Sequence, residues 1–282
     1  MRWAGLLSVA LGFSLFLTAA KEAKAALRVA SLNLCTDQML VLLAPHEIAG
    51  LSPLARDPAL SAVAAEARHL PTVRPSAEAI LRLHPDLVLA ERFGAQSVVA
   101  ALKALSVRVV TIADAQSFSA IRAEVTRLAT LLGRPARGKK LIAAMDATLA
   151  ALPRPAHRET AILLEPRGLA AGPGSLAGAV LWAAGYRDAA AGGWIDLERL
   201  LAHPPDVLVL PEAKRFPSLA TSLLNNPALA ALPRRRVPAA WLMCGSPFAA
   251  QAAAAIARLL PPPLAALGSE RKRISRPLKA KN

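Results

Sequence analysis

The 282-residue chain predicts an α/β fold, two Rossmann-like lobes with parallel sheets joined by one long helix. Three observations point there. Short aliphatic runs alternate with longer helical patterns over most of the chain, as parallel α/β units do. A helical stretch near the middle divides that alternation into two series. One block of sequence also occurs twice, with Glu78 and Asp86 in the first copy and Glu198 and Asp206 in the second, at an offset of 120 residues.

Arg2 followed by the uncharged run Ala4 to Ala20 reads as a secretory signal peptide, with Ala23 and Ala25 as the small residues a signal peptidase recognises. Cleavage is expected after Ala25, and no cysteine nearby offers a lipid attachment point. The remaining chain divides into an N-terminal lobe over residues 26–134, a linking helix over 135–154, a C-terminal lobe over 155–263 and a basic tail over 264–282. Its apolar stretches are broken by Arg, Asp, Pro or Glu, so the mature protein is expected to be soluble and monomeric. Hydrophobic residues make up 54% of the chain, ample for buried cores.

In the first lobe the aliphatic runs Leu27 to Leu32, Ile48 to Leu51, Leu87 to Ala90 and Val107 to Ile112 are strands. Helices fall at Thr36 to Leu43, Ser76 to Leu83, Gly94 to Leu105 and Ser117 to Leu132, the last closed by Gly133. The linking helix, Ala136 to Leu152, has Leu141, Ile142, Met145, Leu149 and Leu152 near helical spacing and stops at Pro153 and Pro155. In the second lobe the strands are Thr160 to Leu164, Asp206 to Leu210 and Arg236 to Trp241. Its helices are Leu176 to Ala184, Leu197 to Ala202, Pro217 to Leu224 and Ala249 to Leu260. Each copy of the repeat has an acidic residue, one apolar helical turn, a proline stop and an aliphatic strand, so each lobe contains the same helix, break and buried strand.

The net charge of +15 raises nucleic-acid binding as a function, and export argues against it. Part of the excess is the tail Ser269 to Asn282, where Arg271, Lys272, Arg273, Arg276, Lys279 and Lys281 face only Glu270. Such a run is a solvated end or a contact for an anionic surface. Positive charge spread over the lobes would steer anionic ligands toward them.

Several of these segments together resemble the periplasmic binding proteins of iron-siderophore, haem and cobalamin importers. They are the stretch Arg28 to Asp37, the block Glu78 to Leu89, the helix after Gly133, and Trp194 to Glu198 with Asp206 beyond it. The likeness spans about Leu27 to Leu260. It implies a ligand cleft between two lobes, a rigid linking helix, small hinge motion and delivery to an inner-membrane ABC permease. It further implies that Glu78 and Glu198, one on each lobe, dock onto arginines of that permease. Both also suit a helix N-terminus, where a carboxylate faces the macrodipole.

Ligands of parallel α/β lobes sit beyond the carboxyl ends of the strands. That rule selects Asn33, Leu34, Cys35 and Thr36; Glu91, Arg92 and Phe93; Gly172 to Ser175 with Trp194; and Trp241 to Cys244. Trp194 and Trp241 can present flat faces to a macrocycle or pack in the core. Arg92 can pair with an anionic group or point into solvent. Gly172 to Ser175 can offer backbone N–H groups or form an ordinary turn. Cys35 and Cys244 are the only cysteines, and as predicted cleft residues of opposite lobes they can be free buried thiols, a disulfide or ligand contacts.

No metal set emerges from the five histidines. Tyr186 is the only tyrosine and sits at a helix end, which ranks haem, often held by tyrosine, below other chelates. The chain lacks a Gly-x-Ser-x-Gly elbow and a metalloprotease helix, so an exported enzyme is the weaker reading. The expected function is capture of a metal chelate, a ferric siderophore or cobalamin, without a cofactor or catalytic residue. The alternative is a periplasmic metal-ion or haem binder.

Overall fold

A computed structural model describes residues 27–212 and 219–257. The expected signal peptide, the basic tail, the start of the helix expected from Pro217 and the end of that expected to Leu260 lie outside the described residues.

In the N-terminal lobe the order is β1 (Val29–Ser31), α1 (Leu34–Leu43), β2 (Ile48–Gly50), α2 (Ala64–Ala67), α3 (Ala77–Leu81), β3 (Leu87–Ala90), α4 (Gln96–Ala104), β4 (Val109–Thr111) and α5 (Phe118–Leu131). The linking helix is α6 (Pro135–Ala150). The C-terminal lobe follows with β5 (Thr160–Leu163), α7 (Leu176–Ala183), β6 (Arg187–Asp188), α8 (Leu197–Ala202), β7 (Val207–Pro211), β8 (Arg234–Val237) and α9 (Phe248–Ala257). Each lobe has a four-stranded parallel sheet, ordered β2-β1-β3-β4 in one and β6-β5-β7-β8 in the other. The two sheets have the same topology.

The central strands β3 and β7 are buried on both faces, as helices covering both sides of a parallel sheet require. The repeated aspartates explain how these strands are held. The carboxylate of Asp86 accepts a hydrogen bond from the Arg28 N–H at 2.8 Å, and that of Asp206 accepts one from the Thr160 N–H at 2.7 Å. Each therefore clasps the start of its lobe's central pair, β1 with β3 or β5 with β7. Ser76 caps α3 by accepting from the Ala79 N–H, and Asp196 caps α8 by accepting from the Arg199 N–H.

The linking helix begins with Pro135 at its first turn, where a missing N–H costs nothing. Gly138 lets α6 approach α5, because a Cβ there would lie 2.4 Å from that of Ala129. Arg122 on α5 pairs with Asp146 on α6 at 2.7 Å, Arg134 pairs with Glu47, and Arg137 donates to the Leu42 carbonyl at the end of α1. One hydrophobic core runs from Val29 and Leu40 through Met145 of α6 to Val180 and Ala253, so the lobes share a core. Smaller cores lie around Ile80 and Leu102 in one lobe and around Ile162 and Leu210 in the other.

Two expectations change, and one strand is new. The strand expected over Arg236 to Trp241 is Arg234–Val237; Pro238 ends it, and Ala239–Trp241 forms a 3-10 turn. The described part of the helix expected over Pro217 to Leu224 consists of 3-10 turns at Leu219–Thr221 and Leu223–Asn225. Asn226 caps the next turn by accepting from the Ala228 N–H at 2.9 Å, just before Pro227, so helix cannot propagate. Strand β6 was not anticipated, since its two residues, both charged and one of them exposed, have no aliphatic pattern. Among the described residues, no helix is long and apolar enough to cross a membrane.

Candidate functional site

The loops leaving the carboxyl ends of both sheets meet in a crevice between the lobes. On the N-terminal wall, the loops after β1 and β3 are cross-tied. The Asn33 side chain accepts from the Glu91 N–H at 3.0 Å, and the Glu91 carboxylate accepts from the Cys35 N–H at 2.8 Å. Behind them the Ser31 and Thr36 hydroxyls bond at 2.7 Å, and fully buried Asp37 accepts from the Ser52 N–H at 2.9 Å. Burial outweighs the hydrogen bonds from Ser31 and Ser52 and raises Asp37 to about 6. Burial also raises Glu91, its hydrogen bond from Cys35 opposes the rise, and the charge of Asp114 adds to it.

The lobes are joined across the crevice. Cys35 and Cys244 form a disulfide, which resolves the open alternatives and overturns both the free-thiol reading and their role as thiol ligands. The Leu176 N–H at the start of α7 donates to the Gln116 side chain at 3.0 Å, joining opposite lobes. Gly245 is wedged against the N-terminal lobe, for a Cβ there would come within 2.4 Å of the Ala115 carbonyl oxygen. Ser246 donates to the buried Gln38 side chain at 3.4 Å.

The crevice holds two compartments. The larger, about 560 Å³, lies against the C-terminal lobe and is lined by Glu165, Ser175, Glu212, Leu224 and Leu242, with Leu60, Asp114 and Gln116 from the other lobe. Its size is that of an ordinary ligand pocket. The charged residues among its described lining are Asp114, Glu165 and Glu212, all acidic, and burial raises Glu165. The smaller, about 150 Å³, is lined by Cys35, Glu91, Arg92, Phe93, Glu124 and Cys244 among others. Arg92 lies 5.8 Å from the centre of the Phe93 ring, which is 69% exposed. Among the described residues no three His, Cys, Asp or Glu side chains form a group able to hold a metal ion.

Of the residues selected by sequence, Cys35, Arg92, Phe93 and Cys244 come together around the smaller compartment. Leu34 and Thr36 are buried in the first turn of α1, where the Thr36 hydroxyl donates to the Asn33 carbonyl. Trp241 packs against the main core instead of lining either compartment. Trp194 is 74% exposed and borders a separate cavity of about 180 Å³ with His203 and Arg199, away from the crevice. In the Gly172 to Ser175 turn, Ser175 caps α7 by accepting from the Gly178 N–H, and the Leu176 N–H is taken by Gln116. The ordinary-turn reading therefore describes that segment, although Ser175 lines the crevice. Glu78 and Glu198 are exposed and occupy the same second position of α3 and α8.

Sequence reasoning missed Asp114, Gln116, Glu165 and Glu212. Each follows the carboxyl end of a strand, β4, β5 or β7, so the rule that selected the other loops also reaches these. Emphasis on aromatic and cysteine residues passed over them. The positive net charge pointed toward anionic ligands, whereas the charged side chains on the described walls of the larger compartment are all negative.

The periplasmic binding protein family matches residues 29–233, well over half of the chain, and the protein belongs to that family. It is thus a periplasmic binding protein of the ABC importer type. Solved structures share the fold at low identity. The apo form of the periplasmic haem-binding protein RhuT of Roseiflexus sp. RS-1 is 24% identical, with a TM-score of 0.66, covering 83% of this chain and 97% of its own. The periplasmic haem-binding protein HutB of Vibrio cholerae is 19% identical, with a TM-score of 0.68, covering 84% and 100%. An ABC-type Fe3+-hydroxamate transport protein of Saccharomonospora viridis is 21% identical, with a TM-score of 0.61, covering 82% and 92%. No curated relative matches the chain in sequence.

Proposed function

We propose that the protein captures a metal chelate, a ferric siderophore or cobalamin, in the crevice between its lobes and delivers it from the periplasm to an inner-membrane permease as a monomer. The compartment of about 560 Å³ at the carboxyl ends of two parallel sheets carries this reading, because it has the volume of a small-molecule site and lies where such lobes bind ligands. Among the described residues no hydrogen bond or ion pair engages the carboxylates of Asp114, Glu165 and Glu212, which favours a ligand whose outer edge is neutral or cationic. Glu78 and Glu198, exposed at equivalent helix starts, supply two charges that can set orientation on the permease.

The structural likeness to haem-binding proteins favours haem as a second reading. Against it, Tyr186, the only tyrosine, is fully buried in the core, and the acidic walls of the crevice oppose haem's carboxylates. Equilibrium dialysis of the mature protein against a ferric hydroxamate, cyanocobalamin, haem and free divalent cations tests both. Saturable binding of the hydroxamate or cobalamin is expected. Retention of a free cation alone, or of nothing, would end the chelate reading, and binding of haem alone would replace it.

A further inference from the structure

We propose that the Cys35–Cys244 disulfide determines which chelates the crevice accepts, by pinning the loop Leu242 to Gly245 as a partition between its two compartments. The inference rests on reading the crevice as the ligand site. The loop belongs to the C-terminal lobe, yet the bridge ties it to the first turn of α1 in the N-terminal lobe, 209 residues away in sequence. Asp114, Met243 and Gly245 line both compartments and so form the wall between them. Asp114 belongs to the loop after β4, whereas Met243 and Gly245 flank the bridged cysteine.

The partition puts Arg92 and Phe93, the cation and aromatic ring of the N-terminal wall, on the far side from the larger compartment. With the bridge intact, a ligand in that compartment meets the loops after β5, β7 and β8 together with Asp114 and Gln116, and reaches Arg92 only if the wall moves. Apart from the packing of Gly245 on Ala115, the loop's remaining ties to the N-terminal lobe are weak. Its backbone hydrogen bonds, from Leu242 and Met243 to the Ala239 carbonyl and from Ser246 to the Cys244 carbonyl, are internal to the C-terminal lobe. Ser246 to Gln38 is a side-chain bond of 3.4 Å. When a dithiol reductant gives up two electrons and two protons and closes to its own disulfide, the bridge becomes two thiols. The compartments then merge, and larger chelates gain access to Arg92 and Phe93.

The test compares the oxidised mature protein, the same protein reduced with a dithiol, Cys35→Ser/Cys244→Ser, and Met243→Ala. The last thins the wall with the bridge intact and serves where loss of the bridge impairs folding. Binding of ferric tris(acetohydroxamate), a ferric trihydroxamate and cyanocobalamin is measured for each. The affinity ratio of the largest bound probe to the smallest is expected to rise about tenfold in all three altered forms. Equal ratios in all four forms would overturn the proposal. Hydrogen exchange gives a reading that needs no ligand: reduction is expected to speed exchange about tenfold at Leu242 to Ser246 and at Glu91 to Phe93. Unchanged exchange there overturns the partition even if no probe binds, whereas failure of every probe alongside accelerated exchange counts against the function alone.

Discussion

In the N-terminal lobe the helix after the first strand, α1, buries Thr36, Asp37 and Gln38, whereas its counterpart α7 contains only Leu, Ala, Gly, Val and Trp. The same contrast runs through the loops. The N-terminal wall of the crevice is set by side chains: Asn33 to Glu91, Glu91 to Cys35 and Asp37 to Ser52. The C-terminal wall is set largely by backbone, with 3-10 turns after β5 and β7 and with Gly168 in the left-handed region, where a Cβ would meet the Ile195 carbonyl oxygen at 2.5 Å. Away from the crevice lining the lobes agree, with the same aspartate clasp at the start of the central strands and the same capped helix presenting an exposed glutamate. The lobes thus match where the duplicated unit holds itself together and carries an exposed glutamate, and they differ along the walls of the crevice. The roomier compartment lies on the side whose loops carry fewer side-chain ties.

The largest effect expected from this division is at the matching parts. Glu78→Ala with Glu198→Ala removes both exposed carboxylates and should lower uptake by roughly tenfold or more, because charge complementarity across such an interface fixes register. Chelate affinity of the purified double variant should stay unchanged, since neither residue lines the crevice. Each single variant should lose a similar share of uptake if the lobes dock as equivalents. Weakened chelate binding in the double variant would show that the matching parts and the crevice are not functionally separate.

A smaller effect should appear only in the N-terminal lobe, where α1 buries a carboxylate and α7 has none. The folded-state pKa of Asp37, about 6, lies above its ordinary value of 3.8, so the protonated form is favoured by folding. Its contribution is fully present below about pH 4 and is lost as pH rises through 6, a cost on the order of 3 kcal/mol at neutral pH. Asp37→Asn keeps an acceptor for the Ser52 N–H and offers a donor to the Ser52 hydroxyl. It should therefore raise stability at pH 7.5 by about 2 kcal/mol and change it little at pH 4. Denaturant unfolding at the two pH values measures this. The variant's stability should still fall somewhat with pH, because burial also raises Glu91, Glu165 and Asp188. Equal gains at both pH values would mean that Asp37 is not desolvated.

How far this division was legible in the sequence depends on what each feature is made of. The central strands and the repeat stood out because a strand buried on both faces must be continuously aliphatic, and a helix stopped by Pro85 or Pro205 leaves a local mark. Helix α8 matches its expected span, since Asp196 caps it and the break before Pro204 ends it. The crevice was less legible because it is made by long-range pairing. Nothing local shows that Cys35 meets Cys244, that Gln116 reaches the start of α7, or that Trp241 turns into the core while Trp194 faces solvent away from the cleft. Pro238 was a further local signal passed over: it breaks the last strand and turns Ala239–Trp241 into a 3-10 turn, which redirects the tryptophan.

The smallest expected effect concerns the clasps, which test whether the two matching ends are equal in energy as well as in geometry. Asp86 accepts from the Arg28 N–H, and Asp206 accepts from both the Thr160 N–H and the Thr160 hydroxyl, the latter at 2.6 Å. Both aspartates are exposed, so water can replace part of what is lost, and each substitution to alanine should cost about 1 kcal/mol or less. Asp206 should cost more, because it loses two bonds. The two bonds from Thr160 hold the Asp206 carboxyl below the usual carboxylate range, so its contribution is present above the ordinary pKa and is lost as pH falls through the lowered one. The advantage of wild type over Asp206→Ala should therefore shrink in acid, whereas at Asp37 it is the advantage of the variant over wild type that shrinks there. Thermal unfolding of both single variants at neutral pH and in acid measures both points, and a larger loss for Asp86→Ala would show that bond count at the clasp does not set its strength.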